Sequence, residues 1–499
     1  MFFFSKSKYT SFVQCPKMLW LKKYHPEFAV EDPSVQERMQ KGNEVGDLAM
    51  GLFGDYEEMT ATDANGKLDI GKMLANTKDA LKRGVENICE ASFSHNGLYC
   101  AVDILHKEKG GYAIYEVKSS TSPKPIYTVD ISYQKYVLEK EGINVTGCYV
   151  VNIDSSYQFD GKLDITKLFK CTDISAAVEK ETITRDIEGT LKRAQATLKC
   201  KNEPCVDLSN NCHSPYDCAF WQYCTQHIPA PSVFDIYGLH FKKKLEYYYN
   251  GIIDFAAVKE HVELNATQQR QVDFALQNTS AHVDTEGIKS FLDGLSYPLY
   301  FLDFETMPIV VPPFPNCRPY QQIPFQYSLH AIKKENGEVT HTEFLGQSGE
   351  DPRRALAEQL VADIPKDACI LAFNSSFECK CLEDLANLFH DLSEHLLNIR
   401  KNVKDLADPF HDGYYYNRQI DKSFSIKSIL PAIYPNDPEL DYHNLEGVHN
   451  GGEAMNVFPL IKDMPPAEQE LARKNLLKYC ELDTYAMVKI WQKFKELCE

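Results

Sequence analysis

The segment Tyr297-Pro-Leu-Tyr-Phe-Leu-Asp-Phe-Glu-Thr306 decides the C-terminal part of the fold, because an apolar run typical of a buried strand ends in two carboxylates. One residue separates Asp303 from Glu305, so on a strand both side chains lie on one face and Phe304 lies on the other. Two like charges this close repel, and a bound divalent cation lets both stay ionised. A strand end with two solvated acids is the commoner explanation of such a pair, so a metal site requires further ligands elsewhere in the chain.

The length and composition indicate a folded protein of several domains. A chain of 499 residues predicts two to four domains, and its 43% hydrophobic and 12% aromatic content is ordinary for a folded protein. The sequence contains no run of eighteen apolar residues, so we expect no membrane span. The opening Met1-Phe-Phe-Phe4 is too short for a signal peptide, and we therefore predict a cytoplasmic protein.

The charge balance limits the mode of any nucleic-acid binding. Lys and Arg number 53 against 71 Asp and Glu, a net charge of −18. This excess argues against a protein that coats nucleic acid through bulk positive charge. It leaves room for a nuclease, because the acids of a nuclease cluster as metal ligands and its substrate groove can be locally basic.

The pattern of periodicities predicts an α/β protein with a mixed α/β domain over 1–230, a helical connector over 231–290 and a second α/β domain over 291–499. In the first domain we predict helices over 5–23, 35–53, 70–88, 127–141 and 175–200, a hairpin of strands 98–105 and 112–118, and a strand over 145–153. In the last domain we predict strands over 297–306, 322–332, 339–344 and 368–373, with the second and third pairing with the first, and helices over 351–364, 425–433 and 468–497.

The predicted hairpin carries a set of residues suited to phosphodiester hydrolysis. Asp103 lies in its first strand, Glu116 and Lys118 share one face of its second strand, and Glu90 stands at the end of the helix before it. Carboxylates can hold the divalent ion that activates water, and a lysine beside them can orient that water or contact the phosphate. A surface hairpin with a salt bridge is the alternative.

Val102-Asp103 and Glu116-Val-Lys118 resemble the signature of the PD-(D/E)XK nuclease superfamily. The resemblance extends to Gln134 on the next helix, where the RecB-like branch has a supporting glutamine or tyrosine. It implies that Glu90, Asp103 and Glu116 bind metal, and that Asp103, Glu116, Lys118 and Gln134 are catalytic.

Three cysteines at regular spacing, Cys212, Cys218 and Cys224, form a separate candidate site, with Cys15 as the natural fourth ligand. Cys205 and His213 are competing ligands, and zinc or unligated core cysteines are alternatives to an Fe–S cluster. The arrangement resembles Fe–S nucleases such as the CRISPR-associated adaptation exonucleases and the AddB subunit of bacterial recombination nucleases. That resemblance implies a [4Fe–4S] cluster which joins the two ends of the nuclease domain.

The ligands that Asp303 and Glu305 lack occur later in the sequence. Glu378 follows the predicted strand 368–373, and Tyr479 and Asp483 lie four residues apart on one face of the last helix. Four converging carboxylates suit two metal ions about 4 Å apart, and a tyrosine hydroxyl can position the attacking water.

These residues resemble the DEDDy branch of the DnaQ-like 3′–5′ exonucleases, which have an RNase H-like fold. The first motif matches as Asp303 and Glu305 and the third as Tyr479 and Asp483, whereas Glu378 stands where the family usually has aspartate. Segments 423–430 and 450–454 resemble those between the second and third motifs of these enzymes.

The whole chain resembles a bacterial family, one with no established substrate, that joins these two nuclease domains. The resemblance implies a nuclease with two active sites that use Mg²⁺ or Mn²⁺ and hydrolyse DNA, from ends or in single strands, in repair, recombination or defence. DNA is the expected partner ahead of RNA, no membrane partner is expected, and a helicase or another repair or defence protein could assist. The alternatives are an RNA-processing 3′–5′ exonuclease whose N-terminal domain binds substrate, and a non-catalytic nucleic-acid-binding scaffold.

Overall fold

The computed structural model describes residues 4–30, 34–420 and 423–499, and the chain divides into two compact units. Unit 1 comprises the residues up to 227 together with 310–320, and unit 2 comprises 228–309 and 321–499. Residues 231–290, which the sequence analysis predicts as a helical connector, belong to unit 2. Both units combine helices with mixed sheets, which confirms the predicted α/β class.

Unit 1 is built on one seven-stranded sheet. Its strands are β1 (Phe4–Ser5), β2 (Glu57–Glu58), β3 (Asn87–His95), β4 (Leu98–Glu108), β5 (Gly111–Lys118), β6 (Val145–Ile153) and β7 (Phe169–Asp173). Its helices are α1 (Lys6–Gln14), α2 (Pro16–Tyr24), α3 (Ser34–Ala49), α4 (Ile70–Arg83), α5 (Pro125–Lys140), α6 (Ile165–Leu168), α7 (Ser175–Arg185), α8 (Ile187–Lys199) and α9 (Trp221–Thr225).

The sheet has the order β2-β3-β4-β5-β6-β7, and β1 pairs with β4 in parallel. β4 and β5 form the predicted antiparallel hairpin, and α5 connects β5 to the parallel strand β6, as the sequence predicts. One face of the sheet packs against α1, α5 and α8 through a core that includes Tyr9, Tyr133 and Leu191. The other face packs against α3 through Val45 and Ala49.

The helix predicted over 70–88 is wrong at its C-terminal end. α4 stops at Arg83 because Gly84 takes the left-handed conformation at φ 74°, which favours glycine and caps a helix. Residues 87–95 then form β3, a strand that the sequence analysis missed, so Glu90 lies in a strand and not at a helix end. Two other predicted helices are each divided, at Cys15 before Pro16 and at Asp186, whose φ is 48°.

Residues 310–320 pack within unit 1. The amide of Phe159 donates to the carbonyl of Cys317 at 3.0 Å, and the Tyr320 hydroxyl donates to the carbonyl of Ser119 at 2.5 Å. Val310 and Val311 add apolar contacts to the core beside α3. The segment therefore belongs to the hydrophobic core of unit 1, although the residues on both sides of it in the sequence belong to unit 2.

Unit 2 has a five-stranded sheet of order β11-β10-β9-β12-β13 and a two-stranded sheet of β8 and β14. Its strands are β8 (Ala281–Val283), β9 (Leu299–Pro308), β10 (Gln322–Ile332), β11 (Val339–Leu345), β12 (Cys369–Ala372), β13 (Val403–Asp405) and β14 (Tyr415–Asn417). Its helices are α10 (Phe241–Tyr249), α11 (Phe255–His261), α12 (Ala266–Gln277), α13 (Thr285–Asp293), α14 (Arg353–Asp363), α15 (Ser376–Leu388), α16 (Ser393–Lys401), α17 (Asp408–His411), α18 (Ile426–Ile433), α19 (Gly451–Leu460) and α20 (Pro466–Cys498).

The period of two along β9 separates its apolar and acidic faces. Tyr300, Leu302 and Phe304 enter the core with α14, α15 and α16. Phe301 points to the other face, where its ring meets that of Trp491 on α20 at a centroid distance of 6.0 Å. β10 pairs antiparallel with β9 as predicted, whereas β11 pairs with β10 and not with β9. Among the described residues, no helix is long and apolar enough to cross a membrane.

Candidate active sites and metal centres

The acidic face of β9 lies against α20. Ligand atoms of Asp303, Glu305 and Cys480 lie within 4.8 Å of one another. The Cys480 thiol donates to Asp303 Oδ2 at 3.8 Å, so the helix is in direct contact with the strand at this point. The neighbouring turn of α20 supplies Tyr479 and Asp483, and these residues line the same cavity of about 260 Å³ as Asp303 and Glu305.

Glu378 reaches this cavity from the first turn of α15. Asp405, at the end of β13, accepts the backbone N–H groups of Asn374 and Ser375 at 2.9 and 2.7 Å and so fixes the turn that leads into the helix. Glu378 Oε2 is buried and has no hydrogen-bond partner among the residues that the structure describes. A buried carboxylate oxygen without a donor is costly in a protein interior, and a cation in the cavity would satisfy it.

The carboxylates of this cavity disfavour one another's charged forms. Burial, followed by the charge of Asp483, raises the pKa of Glu305 to about 8. Burial raises the pKa of Glu378 to about 7, and burial together with Asp483 and Glu305 raises that of Asp303 well above its usual range. A divalent cation would reverse these shifts, because it neutralises the repulsion between the ionised groups. The donor set therefore fits one or two hard cations.

Two residues that the sequence analysis did not name complete this site. Lys427, the second residue of α18, donates to the Tyr479 hydroxyl at 2.7 Å. The Tyr442 hydroxyl donates to Asp483 Oδ1 at 2.6 Å. Lys427 places a positive charge beside the acids, where it can contact a phosphate, and Tyr442 holds Asp483 in position.

The second candidate site lies in unit 1, where the pairing of β4 with β5 ends. The regular ladder begins at the pair Ile104–Tyr115. Beyond that pair, the backbone N–H of Val117 donates to Asp103 Oδ2 at 2.7 Å. The Asp103 side chain therefore accepts a hydrogen bond from the backbone of β5. This places it beside Glu116, which follows Tyr115 in β5.

Glu90 lies opposite Asp103 across the β3–β4 pair, between the pairs Cys89–Ile104 and Ala91–Val102. In each strand the alternation of side chains between the two faces of the sheet is interrupted at this point. Residues on the two sides of Glu90, and on the two sides of Asp103, therefore enter the two cores out of step with a regular period of two. Glu90 adopts φ 52°, a left-handed conformation that shifts the alternation by one residue. The shift brings the two carboxyl groups together. Burial, followed by the charge of Asp103, raises the pKa of Glu90 to about 8, and burial with Glu116 raises that of Asp103 to about 6.

Glu116 is almost fully buried and is bound by three side chains. Lys6 and Lys118 donate to its Oε1 at 2.5 and 2.8 Å, and Gln134 donates to its Oε2 at 2.7 Å. Burial alone would raise the pKa of Glu116, but Lys118 and Lys6 outweigh it and hold the pKa well below its usual range. The predicted residues Glu116, Lys118 and Gln134 are thus in contact, and Lys6, which the sequence analysis missed, joins them.

The two candidate sites differ in charge. The cavity in unit 2 has four carboxylates and one lysine among its described lining residues, whereas in unit 1 Glu116 contacts both Lys6 and Lys118. Lys118 also pairs with Asp130 at 3.3 Å, so that site holds a fourth acid. Among the described residues, the unit 1 acids do not form a group of three ligand atoms within 4.8 Å. A divalent ion at Glu116 would therefore displace at least one of the two ammonium groups.

The cysteine cluster brings Cys15, near the start of the chain, together with three cysteines near the end of the first stretch of unit 1. The thiols of Cys15, Cys212, Cys218 and Cys224 are close enough to interact electrostatically. Burial raises the pKa of Cys224 to about 11, and the other three thiols add to this rise. Of the two competing ligands, Cys205 is exposed and His213 hydrogen-bonds Asp217 at 2.5 Å.

The separation of the thiols bears on the choice between zinc and a cluster. With Zn–S bonds of about 2.3 Å, sulfurs around one tetrahedral zinc lie about 3.8 Å apart. Within the described part of the chain, no three of these sulfurs lie within 4.8 Å of one another. A four-iron cluster is wider than a single ion and needs cysteines that stand farther apart. Among the described residues, these thiols therefore do not form a compact three-ligand site for a single ion.

Comparison with known families gives a match over part of unit 2 and the 310–320 stretch of unit 1. A family model described as "Domain of unknown function (DUF2779)" matches residues 300–425. The matched region contains Asp303, Glu305 and Glu378 and ends before Tyr479 and Asp483. No curated protein matches the chain.

The residues that sequence analysis missed carry weak signals. Lys6 begins a helix and is one of two lysines within the first eight residues, as on any solvated helix. Lys427 stands in the segment 423–430 that resembles a DEDDy exonuclease, and that resemblance was the available clue. Tyr442 precedes Asp483 by forty-one residues, and only the fold brings the two together.

Proposed function

We propose that this protein is a metal-dependent nuclease whose principal active site is the carboxylate cavity of unit 2. One observation carries the proposal: Asp303, Glu305, Glu378 and Asp483 converge with Tyr479 on a single cavity, in which Glu378 Oε2 has no partner within the described part of the chain. This is the ligand set that phosphodiester hydrolysis by two divalent ions requires. The arrangement supports a 3′–5′ exonuclease of the DEDDy type on an RNase H-like domain.

The protein side chains would act in two ways. Bound Mg²⁺ or Mn²⁺ supplies the activated water and the stabilisation of the leaving oxygen. Lys427 donates to the oxygen of Tyr479, and the tyrosine's own O–H, which interacts with Asp483, would be released to hydrogen-bond the attacking water once Asp483 binds a metal ion. The Lys427 ammonium is also available to a non-bridging phosphate oxygen, whose negative charge grows as water attacks.

We further propose that unit 1 is a PD-(D/E)XK-type nuclease domain which contains a [4Fe–4S] cluster. Glu90, Asp103 and Glu116 would hold its metal ion, and Lys118 with Gln134 would position water or phosphate. Cys15, Cys212, Cys218 and Cys224 would hold the cluster. DNA in a cytoplasmic pathway of repair, recombination or defence is the proposed substrate, and a helicase or other protein of such a pathway is a proposed partner.

A degradation assay tests the two active sites separately. End-labelled single- and double-stranded DNA and RNA are incubated with Mg²⁺ or Mn²⁺ and with wild type, Asp303→Ala, Lys118→Ala or the control His390→Ala, an exposed histidine. We expect Asp303→Ala to lose release of nucleotides from 3′ ends and Lys118→Ala to lose a distinct cleavage. Equal activity in all four proteins would refute the proposal. A preference for RNA that survives Lys118→Ala would favour the RNA-processing alternative.

The metal content of anaerobically purified protein tests the cluster. We expect a brown protein with a broad visible absorbance band and about four iron atoms per chain. Cys218→Ser should lose the colour, whereas Cys205→Ser should retain it, because Cys205 is exposed. A colourless protein that contains zinc would refute the cluster.

A further inference from the structure

A second group of potential ligands in unit 2 lies outside the carboxylate cavity. His330 on β10 and His341 on β11 are direct partners in the antiparallel register, and their ring centroids are 4.6 Å apart. Glu481, on α20, approaches His341 Nδ1 to 3.9 Å. One ligand atom from each of these three residues lies within 4.8 Å of the others.

A chain of hydroxyl groups fixes the far side of both imidazole rings. His330 Nδ1 hydrogen-bonds the Thr484 hydroxyl at 2.8 Å, and His341 Nε2 hydrogen-bonds the Ser328 hydroxyl at 2.9 Å. The two hydroxyls hydrogen-bond each other at 2.7 Å. The Thr484 hydroxyl also donates to the carbonyl of Glu481 at 3.1 Å.

The protons of this chain can be assigned consistently. Because Thr484 donates to the Glu481 carbonyl, its oxygen accepts from Ser328 and from His330 Nδ1–H. Ser328 then has no proton left for His341, so its oxygen accepts from His341 Nε2–H. The network therefore leaves one lone pair on each ring, at His330 Nε2 and His341 Nδ1. A metal-binding histidine typically uses one nitrogen as ligand and donates the other N–H to an oxygen.

The surroundings of the rings suit a cation. His330 is buried, with its ring held between that of His341 and the Thr484 hydroxyl. Glu343 lies 4.0 Å from His341 Nε2, and Glu481 is half exposed. Two imidazoles and the Glu481 carboxylate thus surround a point that is open to solvent on the Glu481 side, and the Glu343 carboxylate stands on the Nε2 side of His341.

We propose that His330, His341 and Glu481 form a binding site for a divalent transition-metal ion of the zinc class, separate from both proposed nuclease sites. Two imidazoles and one carboxylate are a donor set that zinc accepts, and it leaves a position for water. Ser328 and Thr484 act as positioning residues. Hard ions such as Mg²⁺ prefer all-oxygen sites and are expected in the carboxylate cavity instead.

The site would join α20 to the edge of the sheet. His330 and His341 belong to two neighbouring strands, and Glu481 belongs to the helix that also carries Tyr479 and Asp483. An ion bound here therefore fixes α20 at the turn that contributes two residues to the carboxylate cavity. Since the ion binds only the folded chain, it raises the stability of unit 2 in proportion to its concentration.

Zinc titration of the full chain tests this proposal independently of nuclease activity. A chelating indicator competes for zinc with wild type, His341→Ala, Glu481→Gln, Ser328→Ala and the control His390→Ala. We expect His341→Ala to bind one zinc fewer than wild type and Glu481→Gln to bind that zinc at least tenfold more weakly. Ser328→Ala should weaken it about 10- to 100-fold, as loss of a positioning residue does elsewhere. His390→Ala should match wild type.

Three results would overturn the metal site. The first is equal zinc stoichiometry and affinity in wild type and Glu481→Gln, which would leave only a hydrogen-bonded histidine pair. The second is loss of zinc from His390→Ala to the same extent as from Glu481→Gln. The third is a Co²⁺ difference spectrum that is missing in wild type or that is the same in wild type and Glu481→Gln. Glu481→Gln is decisive if His341→Ala misfolds, because the Glu481 side chain is half exposed.

Discussion

At the scale of single residues, the Tyr479 hydroxyl gives the most direct test of the proposed active site. Tyr479→Phe keeps the ring in its buried position and removes only the oxygen that accepts from Lys427. If the hydroxyl positions the attacking water, kcat should fall by about 10²- to 10⁴-fold with little change in KM. Steady-state kinetics on an end-labelled strand measures both. Tyr56→Phe, at an exposed tyrosine of unit 1, is the matched control and should leave both constants unchanged.

The raised pKa of Glu305 predicts how stability depends on pH. The folded pKa is about 8 against an ordinary 4.5, because burial and Asp483 favour the protonated form. Between these values the folded chain holds more protons than the unfolded chain, so the metal-free protein loses stability as pH rises from about 5 to about 8. The largest slope from one such group is about 1.4 kcal/mol per pH unit.

Urea unfolding at several pH values, with chelator and with Mn²⁺, checks this dependence. We expect Mn²⁺ to stabilise the wild type strongly near pH 8 and weakly near pH 5, where protons occupy the carboxylates. Glu305→Gln, which cannot ionise, should show a shallower dependence without metal. A stability that rises with pH in the metal-free wild type would contradict the assignment.

Several individual residues could be predicted from the sequence, and the reason is their spacing. Asp303 and Glu305 obey the strand period, and Tyr479 and Asp483 obey the helix period, so each pair could be placed on one face. Lys6 and Tyr442 have no periodic relation to the acids that they contact. His330 and His341 were missed as a pair because their relation depends on the register between two strands, which the turn geometry determines.

At the scale of elements, the left-handed residue in β3 makes a prediction of its own. Glu90 holds φ 52°, which costs about 1 kcal/mol in a residue with a side chain and nothing in glycine. Glu90→Ala and Glu90→Gly both remove the buried carboxylate, but only glycine also relieves the backbone. In metal-free protein we therefore expect Glu90→Gly to be more stable than Glu90→Ala by about 1 kcal/mol.

Denaturant unfolding of the two variants gives this difference directly. Ser94, later in β3, supplies the control, since Ser94 lacks a positive φ in the described chain. There the change to glycine should be less stable than the change to alanine. If glycine were also the less stable variant at position 90, the backbone would not be strained there.

The elements that sequence reasoning placed correctly are those with one dominant period. β6 has the predicted bounds because Val145–Ile153 is an apolar strand between a turn and a polar segment. The strand β3 was missed because the helical periodicity of α4 continues in the sequence beyond Gly84. In the structure the helix ends at that glycine and the chain then forms a strand. The break at Cys15 follows from Pro16, whose ring requires an extended residue before it.

At the scale of the whole molecule, the position of segment 310–320 leads to a prediction. A change in this segment should affect the stability of unit 1, although its neighbours in the sequence belong to unit 2. Replacement of this segment by a glycine-serine linker of equal length removes Val310, Val311 and Cys317 from the core of unit 1. We expect unit 1 to lose about 2 kcal/mol or more of stability, by the free energy of apolar burial, and unit 2 to be less affected.

Calorimetry or limited proteolysis that resolves the two units measures this effect. The control replaces residues 334–336, which are exposed in the turn between β10 and β11, and should leave unit 1 unchanged. If the linker protein unfolded at the wild-type midpoint in unit 1, the segment would contribute nothing to that core.

The path of the chain also bears on inheritance. Unit 1 consists of the residues up to 227 and of 310–320, and residues 228–309 between them belong to unit 2. No single breakpoint in the gene therefore separates two complete units. A crossover or a premature stop between the two stretches leaves the N-terminal half without part of its hydrophobic core, which exposes apolar surface. The two halves are therefore expected to be transmitted and lost as one hereditary unit, unlike tandem domains, which genomes exchange freely.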